Sequence, residues 1–290
     1  MPTATHAATE YGTLRRVAMR HAGDFTRPLA GPDVHPILAR QQTTSSWTSY
    51  DPAVVRAQQD QLIGLLRDHG AEVVLLPAAP DCSAQHYPRD IAFAVDHVLF
   101  RARLNSQHRL PETDALTDPT LGLRPVDLTR GTIEGGDVLL PDTGRVLVGL
   151  SEETSPDGAA ALQEALARHG VDREVVPVHF KVKGIVHLDD HLAVVAPGTA
   201  LIHREVFTAE QNRWFDAHFD DLIPVTDIEA RAVQVNVLAI APTTTVVAAG
   251  SDRIGAALTA RGIEVLTVDY SEVTRIPGSL RCTTLPLLRT

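Results

Sequence analysis

The sequence predicts a mixed α/β fold in which one small unit, a β-hairpin followed by an α-helix and a further β-strand, recurs five times. Two observations support this prediction. Short apolar segments turn at Pro, Gly or Asp residues, as hairpins do, and most are followed by a segment with the apolar period of a helix. The unit returns at intervals of roughly 45 residues, which is typical of circular or solenoidal repeat proteins.

The elements can be placed along the chain from their start and stop signals. The first helix has the clearest signals, since Asp51 precedes Pro52 at its beginning and Gly70 follows its end. The hairpins are predicted at 90–104, 133–150, 191–204, 235–249 and 279–289, the helices at 52–69, 155–168, 208–219 and 251–261, and the other strands at 15–20, 72–76, 125–128, 174–178, 222–225 and 264–268. No helix follows the last hairpin, so the N-terminal strand and helix are expected to complete its unit and close the ring.

A single domain over residues 1–290 is expected, with residues 1–12 as a flexible tail. Residues 23–50 are predicted to form a long loop, because they are rich in Pro, Gly, Thr and Ser and have no clear period. The loop carries His35, Trp47 and Tyr50. It is interpreted either as a lid over a binding site or as an ordered surface loop.

The bulk composition is that of a soluble globular protein, and the cytoplasm is its expected location. Hydrophobic residues make up 44% and charged residues 21% of the chain. No apolar run reaches the roughly 18–20 residues of a membrane span, and residues 1–12 lack the pattern of a secretory signal. A net charge of −10 opposes nucleic-acid binding. The two cysteines, Cys82 and Cys282, are too few for a disulfide framework or a cysteine zinc site, which leaves a thiol as a candidate for chemistry.

A carboxylate followed by two glycines, Glu134-Gly-Gly-Asp137, lies inside the apolar hairpin at 133–150. Glycine weakens a strand, so a pair there marks a bulge or a place where another group approaches the backbone closely. The pattern therefore presents Glu134. Taken alone, the pattern is more often that of an ordinary turn carboxylate.

Polar residues at equivalent ends of the hairpins are expected to converge on the axis of a ring. The candidates are Asp90, Glu134, His187 with Asp189, and Cys282. His187 and Asp189 are two residues apart in a predicted strand and so face the same side, whereas Asp190 is predicted to point away. Taken one by one, a buried core cysteine, a structural histidine and a surface Arg–Asp pair are the alternatives, and Asn236 in the fourth hairpin is explained by a structural role.

Four motifs resemble, in order, those of the guanidino-group-modifying (pentein) superfamily, which comprises arginine deiminases, dimethylarginine dimethylaminohydrolases and amidinotransferases. They are Arg89-Asp90, Glu134-Gly-Gly-Asp137, His187-Leu-Asp189 and Gly278-Ser-Leu-Arg-Cys282. The resemblance implies a five-bladed α/β propeller of pseudo-fivefold repeated units with the active site at its centre. It calls for no cofactor and no metal.

The resemblance also implies a role for each residue. Cys282 is the nucleophile that attacks the guanidinium carbon, because a thiolate is far more reactive than a thiol. His187 protonates the departing ammonia or amine and later activates water, and Glu134 orients the imidazole. Asp90 and Asp189 bind the guanidinium in forked geometry. The intermediate is a thiouronium, which yields a ureido product with water or a new guanidine with an acceptor amine.

One position departs from the pattern of enzymes that act on free arginine. They resemble one another in a Ser-x-Arg-Thr tetrad whose Arg holds the substrate carboxylate, and this chain has Ser151-Glu-Glu-Thr154. Glu153 would repel a carboxylate and attract an amine or a second cation. Alternatively, Glu153 points to solvent and Arg109 alone binds the carboxylate. Arg281 before the cysteine is similar to the Arg-Cys pair of arginine deiminases.

The expected function is a hydrolase that acts on a C–N bond of arginine or an arginine-like guanidine. An amidinotransferase is the first alternative, and a non-enzymatic propeller similar to the ribosome anti-association factor is the second. The expected partner is a small guanidine, with no nucleic acid and no membrane. A homodimer is compatible with the sequence, which does not decide the oligomeric state.

Overall fold

The computed structural model describes residues 5–23, 51–79, 82, 84–276 and 278–290. These residues form five three-stranded sheets with the strand orders β15-β1-β2, β3-β4-β5, β6-β7-β8, β9-β10-β11 and β12-β13-β14. The strands are β1 Leu14–Met19, β2 Glu72–Leu75, β3 Ala92–Val95, β4 Val98–Arg101, β5 Val126–Asp127, β6 Val138–Leu139, β7 Arg145–Gly149, β8 Glu174–Val178, β9 Leu192–Ala196, β10 Thr199–Ile202, β11 Asp221–Pro224, β12 Leu238–Ala241, β13 Thr244–Ala248, β14 Glu264–Val268 and β15 Leu285–Arg289.

All five sheets share one topology. In each sheet the central strand pairs antiparallel with one neighbour and parallel with the other. A parallel pair needs a crossover connection, and helical segments provide it in every unit. The sheets are therefore consistent with the five repeated units predicted from the sequence.

The α-helices in chain order are α1 Pro52–Asp68, α2 Pro88–Ile91, α3 Pro156–Arg168, α4 Ala209–His218, α5 Asp227–Arg231 and α6 Asp252–Thr259. The crossover of the second unit differs, since two 3₁₀ segments, Gln107–Thr117 and Pro119–Leu121, replace an α-helix there. The predicted caps of α1 are confirmed. The Asp51 side chain accepts hydrogen bonds from the backbone N–H groups of Ala53 and Val54, and Gly70 follows the helix with a φ of +82°.

The prediction of a hairpin at 279–289 is wrong. Residues 280–283 form a turn, and the segment contributes the single strand β15. This strand pairs antiparallel with β1, with Ala18 opposite Leu285 and Val17 opposite Pro286. The two ends of the chain thus meet in one sheet, and the N-terminal strand and helix complete the last unit as expected.

The prediction of a flexible tail over residues 1–12 is wrong for residues 6–12. The backbone N–H of His6 donates to Leu287 O at 2.9 Å, and Ala7 exchanges two hydrogen bonds with Asp96. Glu10 is buried. Residues 1–4 lie outside the described residues. Most of the predicted loop, residues 24–50, also lies outside them, and with it the lid hypothesis and the side chains of His35, Trp47 and Tyr50.

The apolar core is divided into clusters between neighbouring sheets and their helices. In the first cluster Phe93 of β3 stacks on Phe100 of β4 with ring centroids 5.5 Å apart. Among the described helices, none combines the length and apolar character needed to span a bilayer. The polar residues described next lie in the segments that immediately precede β3, β6, β9 and β15.

Candidate active site

Cys282 lies in the turn before β15, and Asn236 holds it there. The Asn236 side-chain oxygen accepts hydrogen bonds from the backbone N–H groups of Arg281 and Cys282, at 3.0 and 3.1 Å. Its amide nitrogen donates to the Cys282 sulfur at 3.1 Å. A donor at this position favours the thiolate over the thiol. The sequence predicted only a structural role for Asn236, and it did not predict this direct contact with Cys282, the proposed nucleophile.

Three acidic side chains lie around the Cys282 thiol. Burial raises its pKa well above the ordinary value, and the carboxylates of Asp189, Asp190 and Asp90 raise it further. The sulfur lies 3.8 Å from Asp189 Oδ2. The thiol form therefore predominates at neutral pH in the protein alone. A cation bound among these carboxylates would offset their charge and favour ionisation of the thiol.

His187 is held between two carboxylates. Its Nε2 lies 3.1 Å from Glu134 Oε2, and its Nδ1 lies 3.7 Å from Asp90 Oδ1. Burial lowers the pKa of His187, but the carboxylates of Asp90, Glu134 and Asp137 outweigh burial and raise the pKa well above its ordinary value. The imidazole is therefore protonated at neutral pH and can donate a proton.

The two glycines after Glu134 each allow a close approach, which confirms the sequence prediction. A Cβ on Gly136 would lie 2.5 Å from Cγ and Nδ1 of the His187 ring. A Cβ on Gly135 would lie 2.1 Å from the carbonyl oxygen of Arg89. Side chains at these positions would collide with the histidine ring and with the backbone before Asp90. The glycines therefore allow Glu134, His187 and Asp90 to come together.

Replacing Gly136 by alanine is expected to displace the His187 ring. We expect kcat to fall by about tenfold or more, because small misplacements of catalytic groups are costly. The free energy of unfolding should fall by roughly 1–3 kcal/mol through overpacking. Steady-state kinetics and urea unfolding measure the two effects. Gly144→Ala is the control, because a Cβ on Gly144 would lie no closer than 3.5 Å to another group, Asp142 Oδ1. An unchanged kcat in Gly136→Ala would contradict the positioning role of the glycine.

The tetrad Ser151-Glu-Glu-Thr154 fastens the turn that carries Glu134. The Ser151 hydroxyl donates to Asp137 Oδ2 at 2.6 Å, and the backbone N–H of Glu134 donates to Thr154 Oγ1 at 3.1 Å. Asp137 Oδ1 accepts from the backbone N–H of Leu188 at 2.9 Å. The chain segments of Glu134 and His187 are thus joined through a buried carboxylate.

Three buried carboxylates beside Cys282 and His187 each keep one oxygen with no hydrogen-bond donor in the described parts of the chain. These oxygens are Asp90 Oδ1, Glu134 Oε1 and Asp189 Oδ1. The chain already supplies a partner to the other oxygen of each group: Arg109 to Asp90 at 2.8 Å, His187 to Glu134, and Arg281 to Asp189 at 2.6 Å. Buried acceptors without donors are costly, and a guanidinium offers five N–H donors in a planar fork.

Arg109 lies in this cluster, and its guanidinium is held by carboxylates. Its Nε and NH2 donate to Glu112 at 2.9 and 2.8 Å, while NH1 bonds to Asp90 and lies 3.9 Å from Glu134 Oε2. All three nitrogens therefore face acidic groups of the protein itself. Binding a substrate carboxylate, the role that the resemblance implies, would require the guanidinium to move.

Glu153 faces the cluster, so the alternative that it points to solvent is wrong. It is 2% exposed. Burial raises the pKa of its carboxyl to about 8, with a further contribution from Glu134, while His187 and Arg109 act in the opposite direction. A neutral acid at this position can become a carboxylate when a second cation arrives.

Glu153 should make the stability of the protein depend on pH. Its pKa in the folded state, about 8, lies above the ordinary value of 4.5, so the folded protein binds the extra proton. Stability from this group is present below pH 4.5 and is lost as the pH rises to about 8. The difference in the free energy of unfolding between Glu153→Gln and the wild type should therefore shift in favour of the variant by at least about 1 kcal/mol between pH 5 and pH 8.5. Chemical unfolding at both pH values measures this gain. Glu152→Gln, at an exposed neighbour, should show none, and equal gains in both variants would contradict the prediction.

The prediction that Asp190 points away from Asp189 is wrong. Residues Leu188–Asp190 form a 3₁₀ turn and not a strand, so the alternation of side chains does not apply. Burial raises the pKa of Asp190 to about 8, and the neighbouring Asp189 adds to the rise. His187, likewise, begins this turn and does not lie in a strand.

Sequence reasoning missed a buried ion-pair network behind Asp189. Arg281 donates to Asp189 Oδ2, to both carboxylate oxygens of Glu10 at 3.2 and 3.0 Å, and to the carbonyl oxygen of Val138 at 2.7 Å. Arg281 therefore fixes the orientation of Asp189 next to Cys282. Glu10 gave no sequence signal, because it lies in a segment without apolar periodicity.

Two triads have the spacing of metal ligands: Asp90 with Glu134 and His187, and Asp189 with Asp190 and Cys282. The ligand atoms of each lie within 4.8 Å of one another. A metal ion in the first triad would have to displace the proton that the raised pKa of His187 retains. The same side chains carry the free oxygens suited to a guanidinium.

Comparison with known proteins identifies a matching family and relatives along most of the chain. The family model for arginine deiminase matches residues 109–222 and 220–289. The uncharacterized protein YkgA of Bacillus subtilis is 29% identical over 287 residues, which cover 98% of this chain and 96% of that protein. The arginine deiminase of Mycobacterium marinum is 27% identical over 312 aligned positions, covering 95% of this chain and 76% of that enzyme.

Two solved structures show the same fold. The amidinotransferase SxtG of Microseira wollei superposes with a TM-score of 0.79 at 17% identity, covering 98% of this chain and 97% of that one. Dimethylarginine dimethylaminohydrolase of Pseudomonas aeruginosa, as a cysteine-to-serine mutant complexed with citrulline, superposes with a TM-score of 0.72 at 20% identity, covering 94% and 99%.

Proposed function

Because the chain belongs to the arginine deiminase family, within the guanidino-group-modifying superfamily, we propose that it is a hydrolase that cleaves a C–N bond of a guanidine through a covalent intermediate on Cys282. The observation that carries the proposal is the set of buried carboxylate oxygens without donors beside a cysteine and a protonated histidine. A guanidinium supplies both the missing donors and the missing positive charge.

The proposal includes a five-bladed propeller with this site at its centre. Five sheets of one topology and the meeting of both chain ends in a single sheet support that arrangement. The side chains concerned come from different units of the chain. His187 lies 3.1 Å from Glu134 and 3.7 Å from Asp90, and the Cys282 sulfur lies 3.8 Å from Asp189 Oδ2. A site on a ring axis would have this composition.

In the proposed complex the guanidinium lies between Asp90, Asp189 and Glu134. Their free oxygens accept its N–H groups, which fixes its orientation and keeps it protonated. The added positive charge lowers the pKa of the Cys282 thiol, which burial and Asp189 otherwise hold high. The thiol then releases its proton to solvent, so the thiolate nucleophile forms when substrate is bound.

The first chemical step forms a C–S bond and breaks a C–N bond. The Cys282 thiolate attacks the guanidinium carbon, and the His187 imidazolium gives its proton to the departing nitrogen, which leaves as neutral ammonia or alkylamine. In the second step neutral His187 takes a proton from water as the water oxygen attacks the thiouronium carbon. The C–S bond then breaks, the other water proton returns to sulfur, and a ureido product is released.

An amidinotransferase would share the first step and use an amine in place of water in the second. A panel of guanidines distinguishes the two reactions. It includes arginine, methylated arginines, agmatine and guanidinoacetate, and each is incubated with and without an amine acceptor. Ureido product without acceptor supports the hydrolase. Turnover only with acceptor would establish the transferase, and no turnover of any member would contradict a general guanidine hydrolase.

Glu153 is proposed to select against substrates with a free carboxylate at the end remote from the guanidine. Its buried position beside Glu134 adds a further acidic group to Asp90, Glu134 and Asp189. Glu153→Arg should shift kcat/KM toward carboxylate-bearing guanidines, for example arginine over agmatine, by about tenfold or more. Glu152→Arg is the matched control, with the same change of charge at an exposed position. An unchanged ranking in Glu153→Arg would remove the residue from this role.

A further inference from the structure

Arg89, next to Asp90, is a buried arginine that has guanidinium nitrogens without a hydrogen-bond acceptor in the described parts of the chain. The residue is 4% exposed, and its Nε and NH2 atoms have no hydrogen-bond partner among the described residues. Its backbone N–H donates to the carbonyl oxygen of Cys282 at 3.2 Å, which ties its position to the nucleophile turn. Buried charged donors that lack an acceptor are costly, so such a group calls for a partner.

Arg89 lines a small cavity that is separate from the residues proposed to touch the guanidine. Arg289, Glu10 and Thr9 also line it, together with apolar residues from β3, β6 and β15. The NH2 of Arg289 is a second buried donor without a partner in the described chain. The cavity has room for about one particle of the size of a water molecule.

The side chains around the cavity carry an excess of positive charge. Three arginines, Arg89, Arg281 and Arg289, are buried with two carboxylates, Glu10 and Asp189. Arg281 binds both carboxylates directly. Glu10 and Asp189 also attract Arg89, and Glu10 attracts Arg289, so three arginines share the charge of two carboxylates. Burial lowers the pKa of Arg89 to about 9 and that of Arg289 to about 10, and the neighbouring Arg281 adds to both shifts.

We propose that this cavity binds one small monovalent anion, of the halide class, between the guanidinium groups of Arg89 and Arg289. A water molecule would fill the space and accept hydrogen bonds, but it would leave the excess positive charge in place. A halide ion accepts the same N–H groups and neutralises that charge. Sulfate and phosphate are too large for a cavity of this size and carry more charge than the excess.

The anion is tested first by crystallography of the wild-type protein in sodium bromide. We expect an anomalous bromine peak between the Arg89 and Arg289 guanidinium groups. The matching solution experiment records Tm while sodium chloride replaces sodium gluconate at constant ionic strength. Chloride at about ten times its Kd should raise Tm by roughly 3 °C, in a saturable manner. Sulfate at equal ionic strength should not reproduce the saturable rise.

Arg289→Gln removes one donor and one charge, and it should abolish the chloride dependence of Tm whatever its effect on Tm itself. Arg130→Gln is the control, because Arg130 is a partly exposed arginine paired with Glu164. It should keep the wild-type response. The proposal is overturned if the cavity shows an ordered water without anomalous signal, or if chloride and gluconate give the same Tm. A retained chloride response in Arg289→Gln would also overturn it.

Discussion

The Cys282→Ser variant is expected to lose turnover by a factor on the order of 10⁴ or more while keeping its fold. Serine is close in size to cysteine, and both backbone hydrogen bonds to Asn236 remain available to it. The hydroxyl, however, ionises far less readily than the thiol, and a bound guanidinium does not offset that difference. Assays of ammonia and ureido product measure the loss, and circular dichroism melting measures the fold.

Cys82→Ser is the matched control for this variant. Cys82 is the only other cysteine in the chain, and it is also buried. Its thiol lies 3.4 Å from the carbonyl oxygen of His108, outside the carboxylate cluster. The Cys82 variant should keep wild-type turnover. If Cys282→Ser keeps more than about 1% of the wild-type activity, Cys282 is not the nucleophile.

His187→Ala is expected to lower kcat by about 10²–10⁴, the range of general acid–base catalysis. In the proposed mechanism the imidazolium supplies the proton to the departing nitrogen, and its loss also removes the base that activates water. Added imidazole should restore part of the activity, because Glu134 and Asp90 remain to bind it in the space left by the ring. Steady-state kinetics over a range of imidazole concentrations and pH measure this rescue.

Cys282→Ser serves again as the control, since imidazole cannot replace a nucleophile and should not rescue it. A merely structural role of His187 would lower stability without any response to imidazole. If kcat of His187→Ala stays within about tenfold of the wild-type value, the assignment of His187 as acid and base is contradicted.

The sequence was sufficient to predict the units of the fold because each unit is local. Turn residues and apolar periods lie within one hairpin or helix, and the predicted strand Glu174–Val178 matches β8 residue for residue. The terminal hairpin failed for the opposite reason. β15 finds its antiparallel partner in β1, at the far end of the chain, and no local pattern records that pairing.

The candidate site was predictable where one motif carries both the chemistry and its geometric requirement. The glycines after Glu134 indicated a close approach, and the His187 ring lies at that position. The errors have local structural causes. Asp190 was misplaced because a 3₁₀ turn replaces the expected strand, and Glu10 was missed because its partner, Arg281, is distant in sequence.

Charge compensation within the site was also beyond sequence reasoning. Arg109 was predicted to serve a substrate carboxylate, whereas in the structure it neutralises Asp90 and Glu112. Arg281 does the same for Asp189 and Glu10. Which arginine pairs with which carboxylate depends on contacts between separate units, and these contacts exist only in the folded chain.

Mass spectrometry of the wild-type protein after rapid acid quench during turnover of a guanidine tests the covalent step most directly. We expect a thiouronium mass increase on the intact chain, located on the peptide that contains Cys282, and its absence from Cys282→Ser. An adduct on another residue, or turnover of the guanidine with no adduct at any quench time and no trapping by slow substrates, would contradict nucleophilic catalysis by Cys282.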